Sequence, residues 1–229
     1  MMFWNENKEE EKGYKVPDDI VDLSFAIQCK MLPLDHAYAL SQALQAALPW
    51  LSAEEDAGVH LIHVAESGNG WYRPQDTAAL LHLSRRTRMM LRVPKHRIDD
   101  AHALSGMALD VAGHRLDVGE AQIKPLSALS TLFARHVVMA DAQMSEAAFL
   151  EQVVTEIREL GIRVNKILCG KAHDLTTPEG VIHTQSVMIA DLDSEPAVTL
   201  QQKGIGPGRK MGCGLFLPHR GIKAVKETH

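Results

Sequence analysis

The chain reads as an α+β protein made of two consecutive β-α-β-β-α-β units. Three observations carry that reading. Residues 21–28 alternate apolar and polar side chains with period two, the pattern of a strand with one buried face. Residues 36–48 and 146–160 repeat apolar side chains at helical spacing behind a capping residue. Strand-like segments then follow each helix in the same order, which is the order of a ferredoxin-like unit.

The first half is justified element by element. Val21, Leu23, Phe25 and Ile27 share one face of the first strand, and Pro33 ends it. Asp35 is the expected N-cap of the first helix. Ala37, Leu40, Leu44, Ala47, Leu48 and Leu51 supply its buried stripe, and Pro49 stops it. Residues 59–64 form a second strand and 67–70 a turn. Residues 80–83 are short and apolar. Residues 86–93 alternate as a strand that Pro94 ends, 98–104 form a short helix, and 108–118 return as strand with a turn near Gly113.

The second half repeats the rhythm without a visible sequence repeat. Residues 132–139 are strand-like. Ser145 caps a helix over 146–160 that Gly161 closes, with Phe149, Val153, Ile157 and Leu160 on one face. Residues 162–169 and 181–192 read as strands, 196–202 as a short helix, and 213–217 as the last strand. The expected organisation is an acidic flexible tail over 1–18, a first domain over 19–122 and a second over 123–229.

Bulk numbers bound the function. A chain of 229 residues holds one large domain or two of about 100. Cys29, Cys169 and Cys213 are far apart and form no C-x-x-C, which fits a reducing cytoplasm and argues against a disulfide framework or structural zinc. No apolar run reaches a membrane span, and the N-terminus is too charged for a signal peptide. A net charge of −5 argues against a generic nucleic-acid binder. The distribution points the other way. Arg85, Arg86, Arg88, Arg92, Lys95 and Arg97 form a run with no acid among them, readable as a polyanion site or as a solvated face.

The stretch over 201–225 is the most distinctive. Gly204, Gly206, Gly208, Gly212, Gly214 and Gly221 punctuate it, interleaved with Lys203, Arg209, Lys210, Arg220 and Lys223. Glycine permits positive φ and close approach of a ligand to the backbone. An anion site and a glycine-rich turn leading into a final strand are the two readings. Gly204-x-Gly206-x-Gly208 is no dinucleotide loop, since Pro207 interrupts it and a strand follows it. No G-K-[ST] is present, which excludes a P-loop.

Residues 204–220 (GIGPGRKMGCGLFLPHR), 32–40 (LPLDHAYAL) and 83–94 (LSRRTRMMLRVP) resemble the CRISPR-associated repeat-processing endoribonucleases, in their MYXAN-subtype branch. The similarity runs from about residue 20 to the C-terminus; Arg220 stands where lysine is expected. The resemblance implies the tandem ferredoxin-like fold of the RAMP superfamily. It implies metal-free cleavage of precursor CRISPR RNA within the repeat, 3′ of a stem-loop, with no cofactor. It also implies a glycine-rich loop near the RNA groove. The implied partners are the repeat hairpin, as precursor and as mature guide, and other effector-complex subunits.

Such cleavage needs no protein nucleophile. The 2′-hydroxyl attacks the adjacent phosphate, and an imidazole takes its proton or protonates the leaving 5′-oxygen. His36 is the candidate, because the family's catalytic histidine usually lies at the first turn of this helix; a capping or packing role is the alternative. A helix N-terminus disfavours imidazolium and suits a base. Tyr38 orients phosphate or ribose, or belongs to the core. Arg209 and Lys210 are candidates for scissile-phosphate charge.

Arg85, Arg86, Arg88, Arg92, Lys203, Gly204, Gly206, Gly208, His219 and Arg220 complete the expected RNA-binding set. An alternating strand puts Arg86 and Arg88 on one face and Arg85 on the other. His219 touches RNA or stabilises the loop. His60 and His63 would face opposite sides of a strand, a poor ligand pair, and no carboxylate–histidine cluster has metal-ligand spacing. A RAMP-fold subunit that binds guide RNA without cutting is one alternative, and a small-molecule-binding ferredoxin-like regulatory module another.

Overall fold

Alternation builds the first strand as expected. In the computed structural model, which describes residues 14–63 and 79–219, β1 (Ile20–Gln28) buries Val21, Leu23, Phe25 and Ile27 on one face. The tail over 1–13, the turn at 67–70 and Arg220 lie outside the described residues. β2 (Met31–Pro33) precedes α1 (Ala37–Ala47), whose Ala37, Leu40, Ser41 and Leu44 point inward. Pro49 opens a single 3₁₀ turn, as its missing N–H dictates. β3 (Gly58–His60), β4 (Leu80–His82) and β5 (Arg88–Pro94) follow, then α2 (Ile98–His102). The hairpin of β6 (Ala108–Val111) and β7 (His114–Pro125) turns on Ala112 and Gly113, both at positive φ.

In the second half β8 (Leu132–Val138) leads to α3 (Glu146–Glu159), where the Ser145 hydroxyl accepts the Ala148 N–H at 3.3 Å. β9 (Lys166–Thr177) and β10 (Gly180–Ala190) make a long hairpin. α4 (Ser194–Lys203) and a two-residue β11 (Leu217–Pro218) complete it.

The sheets confirm the expected topology. The first has the order β3-β5-β1-β7-β6, all antiparallel; without β6 this is the ferredoxin-like arrangement. The second has the order β11-β8-β10-β9, the same arrangement read from the other edge. Leu40, Leu44, Ala101 and Leu104 cover one face of the first sheet. Phe149, Val153, Ile157, Ala197 and Leu200 cover one face of the second. β2 and β4 pair apart from both sheets.

Several boundaries differ from expectation. The first helix is not capped by Asp35: His36 holds the N-cap position without a side-chain cap bond, and Asp35 Oδ2 instead accepts the Thr176 N–H at 2.8 Å. Arg85 and Arg86 lie in the turn before β5, because Ser84 and Thr87 bond to each other across it. Ile162 packs into the second core ahead of β9, and that strand runs well past residue 169. Tyr14 and Val16, expected in the tail, pack against Ile20, Leu126 and Val198.

The face of the first sheet that carries no helix is not open along its length. Asp22 and Arg92 lie on it as register partners, and both are buried. Arg92 forks onto Asp22, Nε to Oδ1 and Nη2 to Oδ2, each at 2.9 Å. Its Nη1 donates to the carbonyls of Gln201 (2.6 Å) and Phe216 (3.0 Å) in the second half. Arg92 was expected to contact RNA; it is fully buried and joins the two halves. Among the described residues no helix is long and apolar enough to cross a membrane.

Candidate nucleic-acid interface

The glycine-rich stretch uses its glycines to fold on itself. Gly204, at φ +63° and ψ −165°, ends α4. A Cβ on Gly204 would meet the Gly214 carbonyl, and one on Gly214 would meet the Ile205 carbonyl. The Ile205 N–H donates to Gly214 O at 3.2 Å, and Met211 and Cys213 both donate to Gly208 O, at 2.7 and 3.1 Å. Gly214 in turn donates to His136 O at 2.7 Å, tying the loop to β8. The Cys213 thiol is enclosed, and burial pushes its pKa up to about 12. Much of the loop's backbone hydrogen bonding is thus internal.

The loop's cations hold it to the first half. Arg209 donates to the carbonyls of Lys203, Gln202 (2.9 Å) and Asp56 (3.0 Å), so it caps the end of α4 and reaches the turn before β3. Lys210 Nζ donates to Glu54 O (2.5 Å) and Ala57 O (2.6 Å). Burial, then the Arg209 charge, pushes the Lys210 ammonium down to about 8; burial, then Arg92, pushes Arg209 down to about 10. Lys203 pairs with Asp56 at 3.1 Å. Tyr38, Glu55, Gly206, Gly208, Arg209 and Lys210 are among the residues that line a cleft of about 450 Å³ beside α1. Gly204 is buried and does not line it. The two basic heads expected on a scissile phosphate are turned toward carbonyl oxygens.

A second cleft, of about 340 Å³, lies between the helix-free sheet faces of the two halves. His60, His63, Arg86 and Arg88 come to it from the first half, and Phe133, Arg135 and His136 from β8. Arg86 and Arg88 are exposed, and Arg88 Nη1 lies 3.3 Å from the carbonyls of Arg85 and Thr87. Arg85 is exposed in the same turn and does not line the cleft. No Asp or Glu among the described residues lines this cleft. It therefore offers concentrated positive charge next to imidazoles, a surface suited to a phosphodiester backbone.

His36 is buried, lines neither cleft, and has both ring nitrogens on backbone: Nδ1 2.9 Å from Pro33 O, and Nε2 3.1 Å from Ile62 N. A carbonyl takes only a donor and an N–H only an acceptor, so Nδ1 carries the proton. His60 and His63 were expected on opposite faces; β3 ends at His60, so the alternation stops there and both reach the same cleft. His60 Nε2 lies 3.3 Å from Asp22 Oδ1. Burial pushes its pKa down against the pull of Asp22. His219 donates its N–H to Thr131 O at 2.9 Å and tilts its ring against Phe133. Arg135 and His136 went unnoticed in the sequence; their adjacency in an otherwise apolar strand was the available signal. Among the described residues no His, Cys, Asp and Glu cluster is arranged to hold a metal.

Residues 21–221 match the family described as Cas6 Crispr. The chain is 33% identical over 198 residues to a CRISPR-associated endonuclease Cas6 of Myxococcus xanthus (strain DK1622), covering 86% of this chain and 81% of that protein. A solved CRISPR-associated Cas6 protein superposes with a TM-score of 0.64 at 12% identity, over 88% of this chain and 100% of the other. A Cas6-related protein from Pyrococcus furiosus gives 0.57 at 12% identity, over 91% and 100%. A RAMP protein described as binding different RNA substrates gives 0.56 at 13%, over 88% and 98%. The solved structures establish the fold, and the sequence match over nearly the whole chain establishes that it belongs to the Cas6 family of CRISPR-associated endonucleases.

Proposed function

We propose that the chain cuts precursor CRISPR RNA within the repeat, 3′ of a stem-loop, without a metal. The observation that supports this reading is the meeting of Arg86, Arg88 and Arg135 with imidazoles from both halves in one cleft, in a chain of this family. Arginine side chains grip backbone phosphates of an A-form stem, whose deep groove hides its bases. An imidazole takes the proton of the ribose 2′-hydroxyl, the 2′-oxygen bonds to phosphorus, and the bond to the 5′-oxygen breaks. The products are a 2′,3′-cyclic phosphate and a 5′-hydroxyl. The enzyme then keeps the hairpin as part of an effector complex in the cytoplasm.

His36 acts in this reading as a positioning residue. Its bond to Ile62 fixes the segment from which Leu61 and His63 enter the cleft. The enclosure of His36 is also what a guide-binding subunit without cutting activity would show, and one experiment separates the two. End-labelled repeat RNA is incubated with the protein in EDTA while hairpin affinity is measured in parallel. A single cut on the 3′ side of the stem, leaving a cyclic phosphate, supports the nuclease. Tight binding without a cut overturns it in favour of the guide-binding subunit.

A further inference from the structure

Strand pairing lays an apolar row across the helix-free face of the second sheet. Leu217 of β11 pairs with Phe133 of β8, Phe133 with Met188 of β10, and Met188 with Leu168 of β9. Cross-strand partners share a face. The neighbouring row of Leu132, Ile189 and Ile167 packs into the second core. Alternation therefore turns Phe133, Met188 and Leu168 away from that core. Leu168 is 67% exposed, and Phe133, Met188 and Leu217 are half-buried. One exposed leucine needs no explanation, but a contiguous apolar row marks a surface that something covers.

The row runs into the positively charged cleft. Phe133 and Leu217 line that cleft together with Arg86, Arg88 and Arg135. The Arg135 guanidinium lies over the Phe133 ring, 5.7 Å from its centroid. The His219 ring tilts against Phe133 at 56°, with centroids 6.1 Å apart. At the outer end Lys166 pairs with Asp191 at 2.6 Å, so charge cancels there and the arginines stand at the Phe133 end. An aromatic ring beside arginines suits single-stranded nucleic acid. A base stacks on the ring or on the guanidinium plane, and its phosphate meets the cations. An apolar protein surface would cover the row but offers the arginines no anion.

Resting on the repeat-RNA binding proposed above, we infer that the helix-free face of the second sheet is a stacking platform for an unpaired segment of the repeat, with Phe133 carrying its base. Leu217, Met188 and Leu168 extend the platform from the cleft to the outer strand. The segment is unpaired because the bases of an A-form stem are already stacked and hidden. Arg86 and Arg88 then hold the stem beside it.

The test compares two labelled RNAs on the full chain by fluorescence anisotropy: the repeat hairpin with its unpaired flanks, and the same stem trimmed of them. The parent should bind the flanked RNA more tightly. Phe133→Ala should weaken binding of the flanked RNA by about 5–150-fold and leave the trimmed stem unchanged. Phe133→Leu keeps apolar bulk for the fold and should lose affinity in the same selective way, whereas Phe133→Tyr keeps a ring and should bind like the parent. Stacking releases no counterions, so the slope of log Kd against log salt should stay at the parent's value in Phe133→Leu. A shallower slope would mean that the substitution acts through displaced arginines, and would overturn the stacking role. So would a parent indifferent to the flanks, or Phe133 variants that bind both RNAs like the parent; the row would then fit a protein partner. Cleavage in EDTA, followed on the same samples, keeps the two readings apart. A parent that cuts, beside Phe133 variants with unchanged affinity, overturns this inference alone. Flank-selective loss of affinity in a chain that never cuts supports the platform and overturns the nuclease reading alone.

Discussion

His36 Nε2 accepts the backbone N–H of Ile62 at 3.1 Å, across 26 residues of chain. The bond makes the ring a link between the start of α1 and the segment beyond β3. Both partners are buried, so water cannot replace either one. His36→Ala leaves that N–H without a partner and opens a cavity. The expected loss is about 1–3 kcal/mol for the orphaned donor, with a further cavity cost. Urea denaturation should show a lower midpoint at an unchanged slope. On the reading that His36 positions the cleft, any residual RNA cutting should keep the parent's pH profile; a lost or displaced limb would return the ring to the chemistry.

The Arg92–Asp22 pair predicts a specific acid response. Burial alone would raise the Asp22 carboxyl, but Arg92 and His60 outweigh it and hold it well below the usual carboxylate range. A depressed carboxylate contributes stability at pH above its unfolded value of about 3.9, and loses that contribution as pH falls toward the folded value. His60 has the opposite origin and adds to the same trend. Its folded pKa is depressed by burial, so stability also falls as pH drops below about 6.5. Asp22→Asn should lower stability at neutral pH and flatten the lower of the two steps. Arg92→Ala should cost about 3–5 kcal/mol, because it leaves a buried carboxylate uncompensated. Denaturation midpoints measured from pH 3 to pH 8 check both.

The loop makes a steric prediction. Gly214→Ala places a methyl group on the Ile205 carbonyl at φ +66°, in a loop braced on β8 through the Gly214 N–H. Gly106 has φ +87° with nothing within 4 Å of its would-be Cβ. Gly106→Ala should therefore cost only the backbone term of about 1–2 kcal/mol. Gly214→Ala should cost more than that, and should loosen the Arg92 contact to Phe216 O two residues on. Melting temperatures of the two variants, side by side, decide it.

Arg86 and Arg88 are the exposed arginines of the cleft, so their loss should read out in salt dependence. Each substitution to alanine should weaken hairpin binding and reduce the slope of log Kd against log salt by about 0.7–0.9. Arg115, paired to Asp117 at 2.7 Å and absent from the cleft lining, is the control whose loss should leave the slope unchanged. Equal slopes for all three variants would remove the cleft from RNA binding.

Much of this architecture was legible from local patterns. The alternation of Val21 to Ile27 became β1, the Ser145 cap and Gly161 stop bounded α3, and the order of elements gave both ferredoxin-like sheets. These signals are local because a strand face or a helix stripe is encoded by neighbours two to four positions apart. A long motif also sufficed to identify the family, since glycines that must adopt positive φ and touch another backbone tolerate little replacement.

What each charged side chain does was decided only by the tertiary fold. Arg88 and Arg92 stand four residues apart on one strand, yet the first is exposed in the cleft and the second is sealed against Asp22, Gln201 and Phe216. Charge is visible in a sequence, but the carboxylate that neutralises it lies 70 residues away and a carbonyl that accepts from it 124 residues away. The same holds for the imidazoles. His36 carried the motif and is enclosed by the Pro33 carbonyl and by the Ile62 N–H, the latter 26 residues along the chain. Periodicity says which face a residue takes; only the packing of the second half against the first says whether that face meets carbonyls or solvent.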